Sequence, residues 1–281
     1  MGTNSRREQQ IFELQTAAIR QGLGDGHSYE WLDGSLSTEM APGETLILAS
    51  SFMYLSPRGR HKQESYRSKW GRELVSLHGC NVEAKAGDSS PGMQDLVAPD
   101  DEFLMYVDDT PESRRQVLTD MDDFLAMETE PFDGLLAFSL GAGCGASYLI
   151  QKMRQGTPTH RLPFRFAVFF CGAPPLSGRP HLETTTMAAS SMKPEPIGIQ
   201  QARKVESGEP SEMIQIPTAH IWGRNDTLWG YGPELSGCCK AENREIVVHD
   251  GGHEIPGARD PVTLARCLQA IKRTIARAGG E

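Results

Sequence analysis

The sequence has no long apolar run and fewer positive than negative charges. No segment approaches the roughly 18 apolar residues of a membrane-spanning helix, and the polar, arginine-containing start has no hydrophobic core of a secretion signal. The net charge of −9 comes from 37 acidic and 28 basic residues, so nucleic-acid phosphates would be repelled. These absences argue against membrane and nucleic-acid partners, and we expect a cytoplasmic protein.

The six cysteines also lack the paired spacing of a zinc site. We interpret them as reduced thiols, in agreement with a cytoplasmic location, and predict no metal.

The chain is long enough for a complete domain. With 281 residues, of which 38% are hydrophobic, it can bury a substantial core, and we expect residues 1–281 to form a single α/β domain.

A short apolar run, residues 132–143, contains a serine between small residues. A serine nucleophile placed on a sharp strand-to-helix turn needs small residues two before and two after it, where larger side chains would collide. Ala137 and Gly141 occupy these positions around Ser139. Alanine differs by one methyl group from the more usual glycine. The alternative interpretation is that Ser139 only caps a helix.

Two later segments supply the partners that an activated serine needs. A β-prone run from residue 216 closes in a Gly-x-Asn-Asp turn, which places Asp226 just past the end of a strand. Residues 245–249 predict another strand, and two glycines after it should let the loop bend so that His253 reaches the serine. The order Ser, Asp, His matches a known triad arrangement. Alternatively, Asp226 forms a turn and His253 is a solvated loop residue.

Three other residues compete for these roles. His220 and His249 are possible bases, but both lie inside predicted strands rather than past their ends. Asp250 is a rival to Asp226, yet it stands only three residues before His253 in the same loop. We therefore favour Ser139 as nucleophile, His253 as base and Asp226 as the acid that orients the base.

The residues around these positions resemble the fungal serine hydrolase (FSH) family, which includes stand-alone thioesterases and esterases of fungal polyketide pathways. The resemblance rests on four segments. These are the Asp-Gly pair at 133–134, the next strand at 166–172, the run at 216–226 that leads to Asp226, and the Gly-His pair at 252–253. It implies an α/β-hydrolase fold with a mostly parallel central sheet flanked by helices. Ala137 and Cys171 depart from the family pattern without removing a proton-transfer group.

The resemblance also implies the chemistry, with the same serine, aspartate and histidine as its catalytic residues. An ester or thioester would be hydrolysed through an acyl-enzyme on Ser139, without a metal or organic cofactor. The acyl group would be a polyketide chain, released or trimmed in secondary metabolism and carried as a small ester or thioester or on an acyl-carrier domain of a polyketide synthase.

The start of the chain departs most from the family. Family members open with a short buried strand and a Leu-His-Gly-type loop whose backbone amide forms half of the oxyanion hole. We expect that strand to be missing here, with the amide of Leu140 as one donor and Gly2 as the candidate for the other. A near-match at residues 77–80 stands elsewhere in the chain order. The alternative hypothesis is a non-catalytic binding or accessory protein of the same fold.

Hydrophobic spacing predicts the remaining elements. The first helix should bury Ile11, Phe12, Leu14, Ala18 and Ile19. Residues 35–100 fit the family least and resemble an insertion, with one possible helix at 63–78, while residues 174–215 are typical of a lid or substrate rim. In that rim Met187, Met192 and Ile197 either line an acyl pocket or only fix the loop. The elements expected are a helix ending near residue 22, a strand at 29–32, and helices starting at 111, 142 and 261.

Overall fold

A six-stranded sheet with helices on both faces forms the centre of the structure. The computed structural model describes residues 6–32, 34, 36–38, 51–57, 103–108, 110–128, 131–176, 213–228 and 230–279. Within these ranges no helix is both long and apolar enough to cross a bilayer. The helices are α1 (Arg6–Leu23), α2 (Pro111–Met127), α3 (Leu140–Arg154), α4 (Tyr231–Gly237) and α5 (Pro261–Gly279).

The strands are β1 (His27–Leu32), β2 (Leu36–Thr38), β3 (Ser51–Pro57), β4 (Phe103–Met105), β5 (Gly134–Phe138), β6 (Phe166–Phe170), β7 (Thr218–Gly223) and β8 (Arg244–His249). The main sheet has the order β1-β3-β5-β6-β7-β8, and β2 pairs with β4 separately. β5 to β8 are parallel to one another, whereas β3 runs antiparallel to both of its neighbours. The mostly parallel sheet flanked by helices confirms the predicted fold class.

The register of the parallel strands brings their carboxyl ends to one edge of the sheet. Phe138 pairs with Phe170, Phe170 with Ile221, and Gly223 with His249. The segments that follow β5, β6, β7 and β8 therefore leave the sheet side by side. Ligands of open α/β sheets bind at this edge, and the candidate site residues follow these strands.

Alternating side chains of the central strands supply two hydrophobic cores, one on each face. Leu135 and Ala137 of β5 face the core shared with α2 and α3. Leu136 and Phe138 face the opposite core, to which α1 and α5 contribute. Strands buried on both faces are typical of parallel sheets, and this explains the continuous apolar runs in the sequence.

The structure agrees closely with the predicted helices. The Thr110 side chain accepts a hydrogen bond from the Ser113 amide at 3.2 Å, and Pro111 starts α2 as its sequence predicts. In α1, Phe12 and Ile19 are fully buried as expected. The expectation for Leu14 is wrong, because its side chain is 65% exposed.

Part of the region that resembles an insertion belongs to the main sheet. β3 lies between β1 and β5 and pairs with both, so residues 51–57 form an interior strand of the sheet, next to the strand that precedes Ser139. Most other residues of 35–100, including the predicted helix at 63–78, and residues 177–212 of the predicted rim lie outside the described residues.

His220 lies inside β7 and is almost completely buried. Its Nε2 atom is 3.0 Å from the Thr218 hydroxyl, and its ring packs against Phe169. Burial, with a smaller effect of Arg244, lowers the pKa of His220 to about 3. The ring is therefore neutral in the folded protein at ordinary pH.

The burial of His220 predicts a specific loss of stability in acid. Between about pH 3 and pH 6.5 the unfolded chain binds a proton that the folded ring does not, so the free energy of unfolding falls as pH falls through this window. In His220→Gln this titration is absent. We expect the slope of unfolding free energy against pH to decrease by up to about 1.4 kcal/mol per pH unit, measured by urea unfolding. An unchanged slope would contradict the assignment.

Candidate active site

Ser139 stands at a sharp turn between β5 and α3. Its backbone has φ 53° and ψ −125°, a conformation that residues with side chains rarely adopt. Ala137, two residues earlier, is completely buried, which leaves no space for a larger side chain. The structure thus has the turn that the small residues predict, and it directs a serine away from the end of the sheet.

The backbone of Ser139 is held on both sides by the segment at the end of β6. The Ser139 amide donates to the Phe170 carbonyl at 2.9 Å, and the Ser139 carbonyl accepts from the Ala173 amide at 2.9 Å. These two bonds satisfy the backbone amide and the backbone carbonyl of Ser139. They stabilise a conformation that would otherwise be unfavourable.

The structure brings Ser139, His253 and Asp226 together in one chain of hydrogen bonds. His253 Nε2 lies 2.9 Å from Ser139 Oγ, and His253 Nδ1 lies 2.8 Å from Asp226 Oδ2. The His253 side chain is 9% exposed and that of Asp226 2%. The Phe138 ring packs beside the imidazole, with centroids 5.0 Å apart. These buried surroundings restrict water and strengthen the polar interactions.

The Asp226 carboxylate is fixed by a second bond besides the one with His253. Its Oδ1 accepts a hydrogen bond from the Leu228 amide at 2.8 Å, so the two oxygens have different partners. Asp250, the rival acid, points to solvent with 88% of its side chain exposed and forms an ion pair with Arg224 at 2.9 Å. The geometry therefore favours Asp226.

The rival histidines have partners in other parts of the fold. His220 contacts Thr218 inside β7. His249 ends β8, where its Nδ1 accepts a hydrogen bond from the Gly251 amide at 3.1 Å and burial lowers its pKa. Of the three histidines considered, His253 is the one that the structure places between a carboxylate and the serine hydroxyl.

The loop that carries His253 lies directly against the end of β7. The Asn225 amide donates to the Gly251 carbonyl at 3.1 Å. A Cβ atom on Gly223 would lie 2.2 Å from the Gly251 oxygen and 2.3 Å from that of Gly252, so only glycine permits this approach. The loop brings His253 to the serine as expected, and neither of its two glycines has a positive φ. A Cβ atom on Gly251 would meet the Glu254 carboxylate and the His249 ring.

The structure describes one of the two predicted oxyanion donors. Leu140 is the first residue of α3, so its amide has no carbonyl partner from a preceding helical turn and stands beside the serine. Gly2 and the near-match at residues 77–80 lie outside the described residues. β5, the strand that precedes Ser139, lies between β6 and β3. On the β3 side, Ser51 at the amino end of β3 pairs with Phe138, the residue before the serine.

Cys171 is the residue of this site that the sequence analysis did not assign. Its Sγ atom, an Asp226 carboxylate oxygen and a His253 ring nitrogen all lie within 4.8 Å of one another. Cysteine, aspartate and histidine are also zinc ligands, but both ring nitrogens of His253 already have hydrogen-bond partners. Its position in the sequence could have indicated this, because Cys171 lies at the end of a predicted strand, and Ser139, Asp226 and His253 also follow predicted strands.

The arrangement is suited to proton transfer from the serine hydroxyl. His253 Nε2 is within hydrogen-bond distance of that hydroxyl and can accept its proton, while a carboxylate on Nδ1 fixes the tautomer and stabilises the resulting imidazolium. The amino end of α3 faces the position where negative charge would develop. The same parts serve nucleophilic attack on a carbonyl carbon.

The contact at Gly223 can be tested by substitution. In Gly223→Ala the new methyl group would collide with the loop backbone and displace His253. We expect the rate of Ser139 labelling by a fluorophosphonate to fall by up to about a hundredfold, since a displacement near 1 Å can cost that much. The control is Gly257→Ala, where a Cβ meets nothing within 4 Å. Equal labelling rates in both variants would show that the contact does not position His253.

Comparisons with known proteins agree with this geometry. An esterase of Fusarium mangiferae, FPY3, is 28% identical over 283 residues, covering 99% of this chain and 94% of that protein. Esterase alnB of Emericella nidulans is 27% identical over 58% of this chain and 74% of its own length. Esterase citA of Monascus ruber is 33% identical over 47% of this chain and 50% of its own. The family model described as serine hydrolase (FSH1) matches residues 5–263, so the chain belongs to this serine hydrolase family.

Proposed function

We propose that this serine hydrolase cleaves an ester or thioester through an acyl-enzyme formed on Ser139. The observation that carries the proposal is the position of His253, 2.9 Å from the Ser139 hydroxyl and 2.8 Å from the Asp226 carboxylate. The family and its esterase relatives support hydrolysis at a carbonyl group. The comparisons give no support to the alternative of a non-catalytic accessory protein.

In the first half of the reaction, His253 Nε2 takes the proton from Ser139 Oγ as the oxygen attacks the substrate carbonyl carbon. The tetrahedral intermediate collapses, the protonated imidazole gives its proton to the leaving alcohol or thiol, and the acyl group stays on Ser139. In the second half, the same histidine activates water, which attacks the acyl-enzyme and releases the acid.

Asp226 has an orienting role in this scheme. Its bond with His253 Nδ1 keeps the proton on that nitrogen, so Nε2 has its lone pair toward the serine, and its negative charge stabilises the imidazolium. The Leu228 amide on the other oxygen prevents the carboxylate from rotating away. The Leu140 amide would donate to the oxyanion, assisted by the amino end of α3.

For the substrate, we propose a polyketide acyl chain that is released or trimmed in secondary metabolism. Support comes from the resemblance to stand-alone fungal thioesterases and esterases of such pathways, and the curated relatives carry the name esterase. The acyl chain would be presented as a small ester or thioester, including a thioester on an acyl-carrier domain. Neither a metal nor an organic cofactor takes part in the proposed steps.

The first test compares Ser139→Ala with the wild-type protein. Hydrolysis of p-nitrophenyl esters of short and medium chain length, and of the matching acyl-coenzyme A thioesters, would be followed by release of nitrophenol or thiol. We expect the variant to lose roughly 10⁶-fold in kcat because the nucleophile is gone. The control is Ser236→Ala, a buried serine in α4 whose loss should leave turnover unchanged.

The two substrate series also separate the leaving groups, because a thioesterase should turn over the thioester with the higher kcat/KM. A wild-type protein that folds, but neither hydrolyses these substrates nor reacts with a fluorophosphonate at Ser139, would refute the proposed function. Full turnover in Ser139→Ala would instead refute the assigned nucleophile.

A second test separates Asp226 from Asp250. We expect Asp226→Asn to reduce kcat by roughly 10⁴-fold, since an amide favours the wrong imidazole tautomer. The control is Asp250→Asn, the same chemical change at an exposed residue that forms an ion pair with Arg224. This variant should leave kcat unchanged. If both variants lost activity equally, Asp226 would not be the orienting acid.

A further inference from the structure

Cys171 lies at the end of β6 and is 2% exposed. Its Sγ atom is 3.5 Å from the Glu254 carbonyl oxygen and 3.9 Å from that of Gly252, within the range of sulfur hydrogen bonds. These two carbonyls stand on either side of His253 in the sequence. The thiol therefore contacts the backbone of the loop that carries the base.

The same thiol faces the acid. Sγ lies within 4.8 Å of both an Asp226 carboxylate oxygen and a His253 ring nitrogen. The hydrogen bonds of this thiol are to the two loop carbonyls, and its single proton is donated to one of them at a time. The thiol therefore lies close to the acid while it bonds the backbone that holds His253.

The protonation of the thiol makes it a donor rather than a nucleophile. Burial, together with the negative charge of Asp226, raises the pKa of Cys171 well above its ordinary value. A reactive cysteine needs the opposite, a lowered pKa and some exposure. The raised pKa favours the protonated S–H form, which can donate a hydrogen bond.

The backbone at Cys171 has an unfavourable conformation that neighbouring strands hold in place. The residue has φ 45°, which glycine adopts at less cost than any residue with a side chain. Its amide donates to the Ile221 carbonyl of β7 at 2.8 Å, and its neighbours Phe170 and Ala173 bond the two sides of Ser139. Cys171 is therefore connected to the nucleophile's turn through the backbone and to the acid and base through its side chain.

We propose that Cys171 is a positioning residue for the reaction described above. Its thiol donates to the Glu254 or Gly252 carbonyl, one on each side of His253, and so holds the imidazole between Asp226 and Ser139. The expected effect on kcat rests on the proposed function. The hydrogen bonds of the thiol do not depend on whether the protein turns over a substrate.

The test uses Cys171→Ala, which removes the donor, and Cys171→Ser, which replaces it by a hydroxyl donor. We expect Cys171→Ala to lower kcat by roughly two- to tenfold with KM unchanged, as for loss of a hydrogen bond to a neutral group. Cys171→Ser should restore most of kcat. The control is Cys239→Ala, another buried thiol, which bonds the Leu235 carbonyl in α4 and should leave kcat unchanged.

A proton NMR measurement on the same variants does not depend on turnover. The His253 Nδ1 proton, bonded to Asp226, should give a low-field resonance in the wild-type protein and in Cys171→Ser. We expect this resonance to be weakened or lost in Cys171→Ala through faster exchange with water. The melting temperatures of all variants would show whether each one is folded at the temperature of measurement.

The outcomes separate the two proposals. Unchanged kcat and an unchanged resonance in Cys171→Ala overturn the positioning role, even if ester hydrolysis proves the proposed function correct. Equal losses in Cys171→Ala and Cys171→Ser also overturn it, because the donor would then be irrelevant. If the resonance responds as expected in a protein that hydrolyses nothing, the positioning role stands and the proposed function fails.

Discussion

The parallel pairing of β5 to β8 is the constraint on which the site depends. It places the ends of four strands at one edge, so residues distant in sequence leave the sheet as neighbours. Ser139 follows β5, Cys171 follows β6, Asp226 follows β7 and His253 follows β8. A shift of register by one residue would turn every core side chain of the shifted strand to the wrong face, so the packing of the two cores also fixes the position of each strand end.

Two unfavourable backbone conformations are stabilised by the same region. Ser139 and Cys171 both have positive φ, and they are the two residues other than glycine with this property among the described residues. Their hydrogen bonds link β5 to β6 and β6 to β7 at the point where the strands end. Local strain at functional sites persists only where surrounding structure determines it strongly, and here that structure is the centre of the sheet.

Local sequence signals predicted three of the four residues that meet at the edge, namely Ser139, Asp226 and His253. Small residues around Ser139, the turn before Asp226 and the loop before His253 each act over a few residues, so the sequence shows them directly. β3 was not predicted, because its position depends on pairing with strands far along the chain. The contact of Cys171 with Asp226 and the need for glycine at Gly223 arise from neighbouring strands, and no local pattern contains that information. Leu14 was misplaced because helical spacing alone does not identify which face is covered.

The backbone hydrogen bonds of Ser139 also link the nucleophile's turn to the thermal stability of the sheet. Because the Ser139 amide bonds the Phe170 carbonyl of β6 inside the packed sheet, this amide can exchange with solvent only when the sheet itself opens. The loop that carries His253 lies outside the sheet, and its bonds to Asp226 and to the end of β7 attach it to the same strands. The turn that carries the nucleophile therefore disappears only with cooperative unfolding of the domain.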